Sequence, residues 1–297
     1  MSVCETIEIV TPKKVLLNGL WFGPAKPKRV IIWVHGLGSS AFSKLGIADA
    51  LIDKNIAVIT FNNRGHDKVS RIARTGEKKI SKAVLGGSAH EVFTDCVDDI
   101  QGAINFVKRA GVKNIYLAGH STGCQKSIYW ASKRGRLPAR GAQAGSVKGI
   151  ILLAPISDYS AEMHLKGKGK IARAAEAARA LVSRGKKHQL LDEKYWPYTI
   201  DAQRFLSLYT PDSVEEIFTY AQPTKNPRTL KSVTMPLLVL LAEKDEYGDR
   251  PAKKIAEWFL KNGRGNLQTL IVPRTTHSFH GKEKTVASVI KRWVKKI

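Results

Sequence analysis

The sequence predicts an α/β protein with a mostly parallel central sheet, helices on both faces of that sheet and a helical cap inserted before the penultimate strand. Short apolar runs of strand length alternate along the chain with segments whose apolar residues recur at helical spacing. This alternation stops between residues 159 and 233, where no strand pattern is present, and then resumes. We therefore expect a core made of residues 1–158 and 234–297, and a cap or lid made of residues 159–233.

Length and composition indicate a globular protein. A chain of 297 residues with 43% hydrophobic residues is long enough for one large domain with an insertion. No apolar run reaches the ~18 residues of a membrane span, and the N-terminus lacks the basic start and apolar core of a secretory signal. Cys4, Cys96 and Cys124 have no metal-like spacing, which favours reduced thiols and a cytoplasmic location.

The charge balance is strongly basic. The chain has 49 Lys and Arg residues against 25 Asp and Glu residues, a net charge of +24. Such a field attracts anions, including nucleic acid, acidic lipid and acidic substrates. The basic residues are spread along the chain without a nucleic-acid-binding motif, so we interpret the excess as general surface charge and expect no nucleic acid partner.

The first half of the chain predicts the opening elements of the sheet. Residues 5–10 and 14–22 flank turn residues and predict an antiparallel pair. The continuous apolar run at residues 29–34 is typical of a strand covered on both faces. A helical pattern over residues 41–54 and a second apolar run at 56–61 follow.

Two further patterns precede the central motif. Residues 68–87 are basic and contain glycines, which predicts a long surface loop. Apolar residues at helical spacing over residues 91–110 predict a helix that ends before Gly111. We expect three aspartates of this segment on the solvated face of the helix: Asp95, Asp98 and Asp99.

A polar segment at residues 62–67 leaves two interpretations open. His66 and Asp67 carry groups that can bind a metal ion. A structural turn held by Arg64 is the favoured alternative, and we expect no metal site.

The most informative stretch is a strand, a G-x-S-x-G turn and a helix. Residues 115–118 form the apolar strand, Gly119-His120-Ser121-Thr122-Gly123 follows at once, and a helical segment comes next. This arrangement is typical of a nucleophile elbow, in which a tight turn holds the serine in a strained backbone conformation. Side chains at positions 119 and 123 would collide in such a turn, which explains the two glycines.

The second half of the chain contains the predicted cap and then returns to strand and helix. A strand at residues 147–154 precedes the cap, which has a flexible basic tract at 166–170 and an alanine-rich helix at 171–183. Residues 204–220 predict a further helix broken by Pro211. We expect Tyr195 and Trp196 to contribute to the substrate pocket. The remaining predicted elements are a strand at 237–242, a helix at 250–261, a strand at 267–272 and a C-terminal amphipathic helix.

Three side chains that can act together follow predicted strands. Ser121, Asp245 and His277 each lie just past the carboxyl end of a strand, and these ends share one edge of a parallel sheet. His277 can take the proton of Ser121 and pass it to a leaving group, while Asp245 orients the imidazole. His280 is a rival for the base, and Asp158 and Asp249 are rivals for the acid.

A glycine-rich loop supplies candidate oxyanion donors. His35-Gly36-Leu37-Gly38 follows the strand at 29–34, so its backbone N–H groups can point into the site. We expect the N–H groups of Leu37 and Thr122 to form the oxyanion hole, with His35, Gly36 and His120 as part of the loop and elbow.

The motifs resemble those of a known family. With its elbow, its His35-Gly36 loop and Asp245 and His277 in the acid and base places, the chain resembles the α/β-hydrolase superfamily over essentially its whole length. GHSTGCQ (119–125), ILLAPISD (151–158) and RFLSL (204–208) are similar to a branch that includes fungal siderophore esterases. The resemblance implies a serine esterase that acts on small-molecule esters and, more narrowly, on ester bonds of hydroxamate siderophores.

Other functions remain open at this stage. A lactonase or an acyltransferase can use the same three side chains, and a non-catalytic anion-binding protein can use the same fold. Haloalkane dehalogenase and epoxide hydrolase chemistry would require an aspartate in place of Ser121. We expect no cofactor, and the sequence leaves the oligomeric state open.

Overall fold

The computed structural model describes residues 4–76, 82–134 and 147–297. The strands are β1 (Cys4–Val10), β2 (Leu16–Phe22), β3 (Arg29–Val34), β4 (Ile56–Phe61), β5 (Ser70–Ile72), β6 (Val84–Gly86), β7 (Asn114–His120), β8 (Val147–Leu153), β9 (Leu237–Ala242) and β10 (Leu267–Val272). The helices are α1 (Leu45–Leu51), α2 (Cys96–Arg109), α3 (Thr122–Arg134), α4 (Asp158–Lys166), α5 (Lys168–Ser183), α6 (Ala202–Tyr209), α7 (Arg228–Lys231), α8 (Ala252–Asn262) and α9 (Glu283–Lys296).

Eight strands form one mostly parallel sheet. Their order is β1-β2-β4-β3-β7-β8-β9-β10. Strand β2 runs antiparallel to β1 and β4, and every other neighbouring pair is parallel. The carboxyl ends of β3, β7, β8, β9 and β10 therefore lie along one edge of the sheet. The predicted fold class is confirmed.

Helices cover both faces of this sheet. Along β3, Val30 and Ile32 belong to one buried apolar cluster, whereas Ile31 and Trp33 belong to another. Successive side chains of a strand point to opposite faces, so each cluster lies on its own side. Helices α2, α3 and α8 contribute to the first cluster, and α1 and α9 contribute to the second. This two-sided burial explains the continuous apolar runs of the inner strands.

Four helices, α4 to α7, lie between β8 and the penultimate strand β9. Helices α5 and α6 share a small apolar cluster of their own, which includes Ile171, Ala174 and Phe205. The helical insertion is thus present where the sequence predicts it. Its treatment as a separate cap domain at residues 159–233 stays a prediction.

Several element boundaries differ from the prediction. The basic tract at 166–170 is the junction of α4 and α5, where Gly167 adopts a φ of 83° that permits the change of direction. Helix α6 ends at Tyr209 because Thr210, the residue before Pro211, is extended. The predicted loop at 68–87 contains the antiparallel ribbon of β5 and β6, and residues 77–81 lie outside the described residues.

The helix after this ribbon is shorter than predicted, and its aspartates are not all solvated. Helix α2 begins at Cys96 after a 3₁₀ turn at Phe93–Asp95. Asp98 and Asp99 are buried, with exposures of 7% and 1%. The expectation that they form a solvated face is therefore wrong. The fold places a buried cation against this face of the helix.

That cation is Arg64, whose guanidinium contacts three aspartates. Its nitrogens lie 2.9 Å from Asp95 Oδ2 and 2.8 Å from Asp99 Oδ1, and a third contact joins it to Asp98. Burial raises the pKa of Asp99 to about 7, although Arg64 opposes this shift. The turn at 62–67 is thus held by Arg64, which was the favoured interpretation of this segment.

A buried charge network joins the insertion to the core. The carboxylate of Glu91 lies 2.5 Å from Lys126 Nζ on α3 and 2.9 Å from Arg204 on α6. Arg204 also lies 2.5 Å from Glu215. Burial alone would raise the pKa of Glu91, but the two cations hold it below its ordinary value. The network therefore keeps charges of both signs paired inside the protein.

No helix in the described ranges is both long enough and apolar enough to cross a bilayer.

We expect Arg204→Met to lower the free energy of unfolding by about 3–5 kcal/mol, because removing one member of a buried ion network leaves its partners without compensation. Arg179→Met is the matched control, since Arg179 is 55% exposed and lies 3.9 Å from an exposed Asp212. This control should change stability by less than about 0.5 kcal/mol. Chemical denaturation of both variants measures the difference, and equal losses would contradict the assignment.

Candidate active site

Ser121 lies on a tight turn between β7 and α3. Its φ of 55° lies in the left-handed region, which costs a residue other than glycine on the order of 1–3 kcal/mol. The Ser121 N–H donates to the carbonyl of Leu153 on β8 at 3.0 Å, which helps hold the turn. A Cβ on Gly119 would overlap the carbonyl of Gly123, and a Cβ on Gly123 would overlap the carbonyl of Val34. The two glycines therefore permit this close packing.

His277 and Asp245 are hydrogen-bonded past the carboxyl ends of β10 and β9. His277 Nδ1 lies 2.8 Å from Asp245 Oδ2 and 3.0 Å from Oδ1. This contact assigns the proton of a neutral imidazole to Nδ1 and leaves a lone pair on Nε2. Both side chains are largely buried, with exposures of 7% and 11%.

Contacts that the sequence does not predict hold the His277 segment in place. The His277 N–H donates to the carboxylate of Glu246 at 2.9 Å, and its carbonyl accepts from His120 Nε2 at 3.0 Å. The ring of Tyr247 lies 4.9 Å from the imidazole, edge to face. Burial, followed by the charge of His277, lowers the pKa of His120 to about 3, so His120 remains neutral. Only the position of His120 inside the elbow motif signalled its proximity to the site.

Ser121 and His277 open into one cavity of about 420 Å³. A cavity of this size accommodates a small organic molecule. The insertion supplies part of its wall, through α4 and the end of α6. The residues that line it are Gly36, Leu37, Ser39, Ser43, Lys44, His120, Ser121, Ile156, Asp158, Ala161, Glu162, Tyr209, Tyr247 and His277.

The loop after β3 packs directly against the elbow. A Cβ on Gly36 would lie 2.9 Å from the Cβ of Ser121, so glycine lets the loop reach the serine. Leu37 follows and lines the cavity, while Thr122 is the first residue of α3. The two residues expected to supply oxyanion donors thus each directly follow a residue of the Gly36–Ser121 contact.

His35 is a buried, neutral support of this loop. Its Nδ1 donates to the carbonyl of Gly36 at 2.9 Å, and its Nε2 accepts from the N–H of Asn63 at 3.3 Å. Burial, together with the charge of Lys126, lowers the pKa of His35 to about 3. His35 therefore ties the loop after β3 to the segment after β4, and it is not among the residues that line the cavity.

The rival residues have other partners. The side chain of His280 is 93% exposed and lies 3.6 Å from Glu283. Asp158 is buried at the start of α4 and accepts a hydrogen bond from Gln125 at 2.7 Å. Asp249 pairs with Arg250 at 2.7 Å. The geometry thus favours Asp245 and His277 as the acid and the base.

The structure corrects the expected pocket residues of the insertion. Trp196 is 1% exposed and packs against Phe205 and Tyr209, with ring centroids 5.0 and 5.2 Å away. It belongs to the apolar core of the insertion. Tyr195 is exposed beside Lys194. Tyr209, at the end of α6, lines the cavity from the insertion, and Tyr247 lines it from the segment after β9.

The burial of His35 leads to a pH-dependent prediction. Unfolded imidazole takes up a proton near pH 6.5, whereas folded His35 resists protonation down to about pH 3. The unfolded state binds more protons in this window, so stability falls as pH falls. In His35→Asn this contribution is absent. The free-energy advantage of the wild type over this variant should shrink by about 2 kcal/mol between pH 8 and pH 5.

Denaturation at the two pH values tests this expectation. His280→Asn is the control, because the side chain of His280 is 93% exposed. Parallel pH curves for the wild type and His35→Asn would contradict a buried neutral His35.

The comparisons with known proteins agree with the fold. The siderophore hydrolase EstB from Aspergillus fumigatus is 17% identical, covers 99% of this chain and 96% of its own, and superposes with a TM-score of 0.67. The Pyrococcus furiosus esterase Pf2001 is 15% identical with a TM-score of 0.61, covering 99% of this chain and 91% of its own. Est1E from Butyrivibrio proteoclasticus, solved with ferulic acid bound, is 17% identical with a TM-score of 0.61, covering 98% of both chains.

These structures confirm the α/β-hydrolase fold. No curated protein matches the chain at the sequence level. One family profile does, and it spans residues 85–296, more than half of the chain. The chain therefore belongs to the family described as "protein of unknown function (DUF1749)".

Proposed function

We propose that this protein is a serine hydrolase that cleaves carboxylic esters of small molecules through Ser121, His277 and Asp245. One observation carries the proposal. Ser121, whose backbone φ lies in the left-handed region, and His277, which is hydrogen-bonded to Asp245, line the same cavity. This arrangement contains a nucleophile, a base and an orienting acid. The similarity of the fold to that of several esterases supports the same chemistry.

The first half of the proposed reaction forms an acyl-enzyme. His277 Nε2 takes the proton of Ser121 Oγ as this oxygen attacks the ester carbonyl, and the carbonyl π electrons move to the oxygen. Asp245 stabilises the resulting imidazolium and keeps its orientation. When the intermediate collapses, the C–O bond to the alcohol breaks, and the alcohol leaves with the proton from His277. Ser121 then carries the acyl group as an ester.

The second half returns the enzyme to its starting state. Water attacks the acyl carbonyl while His277 accepts one of its protons. Collapse releases the carboxylic acid, and His277 returns the proton to Ser121 Oγ. In both halves the backbone N–H groups of Leu37 and Thr122 would stabilise the negative oxygen, each by about 3–4 kcal/mol. Leu37 directly follows Gly36 and Thr122 directly follows Ser121, and the close Gly36–Ser121 contact supports this role for both groups.

The insertion would determine which esters enter. Ala161, Glu162 and Tyr209 belong to its helices and line the cavity. We therefore assign residues 159–233 the role of a cap that shapes the substrate pocket. The cavity volume of about 420 Å³ favours small esters over polymers.

A fluorophosphonate probe should label the protein covalently at Ser121. Ser121→Ala should abolish labelling and lower kcat for ester hydrolysis by a factor on the order of 10⁶, the size found when a triad serine is removed. Ser43→Ala is the matched control, because Ser43 also carries a hydroxyl group into the same cavity. This control should still be labelled. Wild-type labelling of Ser121→Ala, read by intact mass spectrometry, would overturn the proposal.

Asp245→Asn should lower kcat by about 10⁴, because an amide no longer favours the imidazole tautomer that activates the serine. Asp158→Asn is the matched comparison, since Asp158 is a buried carboxyl group on the same cavity with a different partner. It should lower kcat by less than about tenfold. Steady-state kinetics on one ester ranks the two, and a larger loss in Asp158→Asn would reassign the acid.

A further inference from the structure

Two histidines and an aspartate meet where the insertion joins the core, away from Ser121. His90 Nδ1 lies 3.0 Å from Asp201 Oδ2, and His188 Nδ1 lies 2.9 Å from the same oxygen. The three potential ligand atoms lie within 4.8 Å of one another. His90 belongs to the core side, in the turn before α2, whereas His188 and Asp201 belong to the segment between α5 and α6.

Backbone hydrogen bonds hold the three segments together independently of these side chains. The Asp201 N–H donates to the carbonyl of Ala89 at 2.9 Å, next to His90. The Ala202 N–H donates to the carbonyl of Gln189 at 3.0 Å, next to His188. Asp201 Oδ1 accepts from the N–H of Arg204 at 2.7 Å, so the carboxylate is oriented and its Oδ2 faces the two imidazoles. The group is therefore preorganised, as an ion-binding site requires.

Burial and access differ among the three side chains. The side chain of Asp201 is fully buried, that of His90 is 10% exposed, and that of His188 is 44% exposed. A buried carboxylate provides the negative charge that attracts a cation, and the exposed edge of His188 leaves a path for the cation and for water. None of the described residues that line the cavity at Ser121 belongs to this group.

We propose that His90, His188 and Asp201 form a binding site for a divalent transition-metal ion with the ligand preference of Zn²⁺. Two imidazole nitrogens and one carboxylate oxygen suit such an ion, whereas Ca²⁺ and Mg²⁺ prefer oxygen ligands. Tetrahedral ligands at 2.0–2.1 Å from Zn²⁺ are about 3.3 Å apart. The separations of 2.9 and 3.0 Å from Asp201 Oδ2 differ from this value by a few tenths of an ångström, and all three ligand atoms lie within 4.8 Å of one another.

The proton balance of binding is simple. In the hydrogen-bonded state each neutral imidazole donates from Nδ1 to the carboxylate. When the ion binds, the proton of each imidazole moves to Nε2, and both Nδ1 lone pairs and Asp201 Oδ2 coordinate the ion. Water completes the coordination on the exposed side. If both imidazoles are neutral before binding, no proton is released. The bound ion would link the insertion to the core, because His90 belongs to the core and the other two ligands belong to the insertion.

The test uses the full-length protein freed of metal with a chelator and then titrated with Co²⁺ or Zn²⁺. Visible absorption of Co²⁺ reports coordination by nitrogen and oxygen ligands, and isothermal titration gives the stoichiometry and affinity for Zn²⁺. We expect one equivalent to bind and the Tm to rise with Zn²⁺ concentration, because the ion binds the folded state.

Two variants of one residue separate a metal site from a hydrogen-bonded contact. His188→Gln keeps an N–H group that can donate to Asp201 but replaces the imidazole by a poor ligand, and His188→Ala removes both. Both variants should bind Zn²⁺ at least about 100-fold more weakly than the wild type, because each loses a ligand. His164→Ala is the matched control, since His164 is an exposed histidine of α4 outside the group. It should bind like the wild type.

Three results would overturn the proposal. One is the absence of stoichiometric Zn²⁺ binding by the wild type, which would leave a hydrogen-bonded contact only. Another is wild-type affinity in His188→Gln and His188→Ala. The third is binding that competes with the fluorophosphonate probe and survives in both variants, which would place the ion at His277. Circular dichroism of the metal-free variants verifies that they fold. We expect both variants to fold, because the side chain of His188 is 44% exposed.

Discussion

The site depends on a close contact of three backbone segments. The ends of β3 and β7 and the start of α3 approach one another so tightly that side chains at Gly36, Gly119 or Gly123 would overlap neighbouring atoms. This packing holds Ser121 at a φ of 55° against the cost of that conformation. It also brings the loop after β3 next to the serine. A single steric constraint thus determines both the backbone conformation of Ser121, the proposed nucleophile, and the position of the loop that carries Leu37.

The parallel sheet converts that local constraint into a site. Strands β8, β9 and β10 follow β7 in order across the sheet, so their carboxyl ends extend the same edge. Asp245 follows β9 and His277 follows β10, and their hydrogen bond joins two neighbouring strand ends. Glu246 and His120 fix the backbone of the His277 segment. The approach of Asp245 to His277 therefore depends both on strand order and on the contacts that hold these loops.

Buried charge joins the insertion to this core. The chain carries a net charge of +24, yet Glu91, Glu215 and Arg204 are buried, and each of the two glutamates pairs with Arg204. Because an unpaired charge is costly in the interior, these groups restrict how α6 can dock on the core. The same junction holds His90, His188 and Asp201. The position of Tyr209 on the cavity wall thus depends on contacts made well away from Ser121.

Patterns with strong local causes were predictable to within a residue. The strands at 29–34, 56–61 and 237–242 were predicted at their observed bounds, because continuous apolar runs identify strands buried on two faces. The strand at 267–272 also has its predicted bounds, although it lies at the edge of the sheet and only Val272 is buried. Patterns whose meaning depends on a distant partner were misinterpreted. The aspartates of α2 resembled a solvated face, but Arg64, from the turn after β4, lies against them. Trp196 resembled a pocket residue, but Phe205 and Tyr209 enclose it.

The sequence by itself determined the fold class, the order of the elements and the three side chains placed at strand ends. These follow from hydrophobic periodicity, glycine at a tight turn and the common direction of parallel strands, and all three are local or topological rules. Only the tertiary structure decided which carboxyl groups are buried and which aromatic rings reach the cavity. It also brought His90 to His188 and Asp201, which lie far from it in the sequence. Burial and side-chain contact depend on the packing of distant segments, and no local pattern encodes that packing.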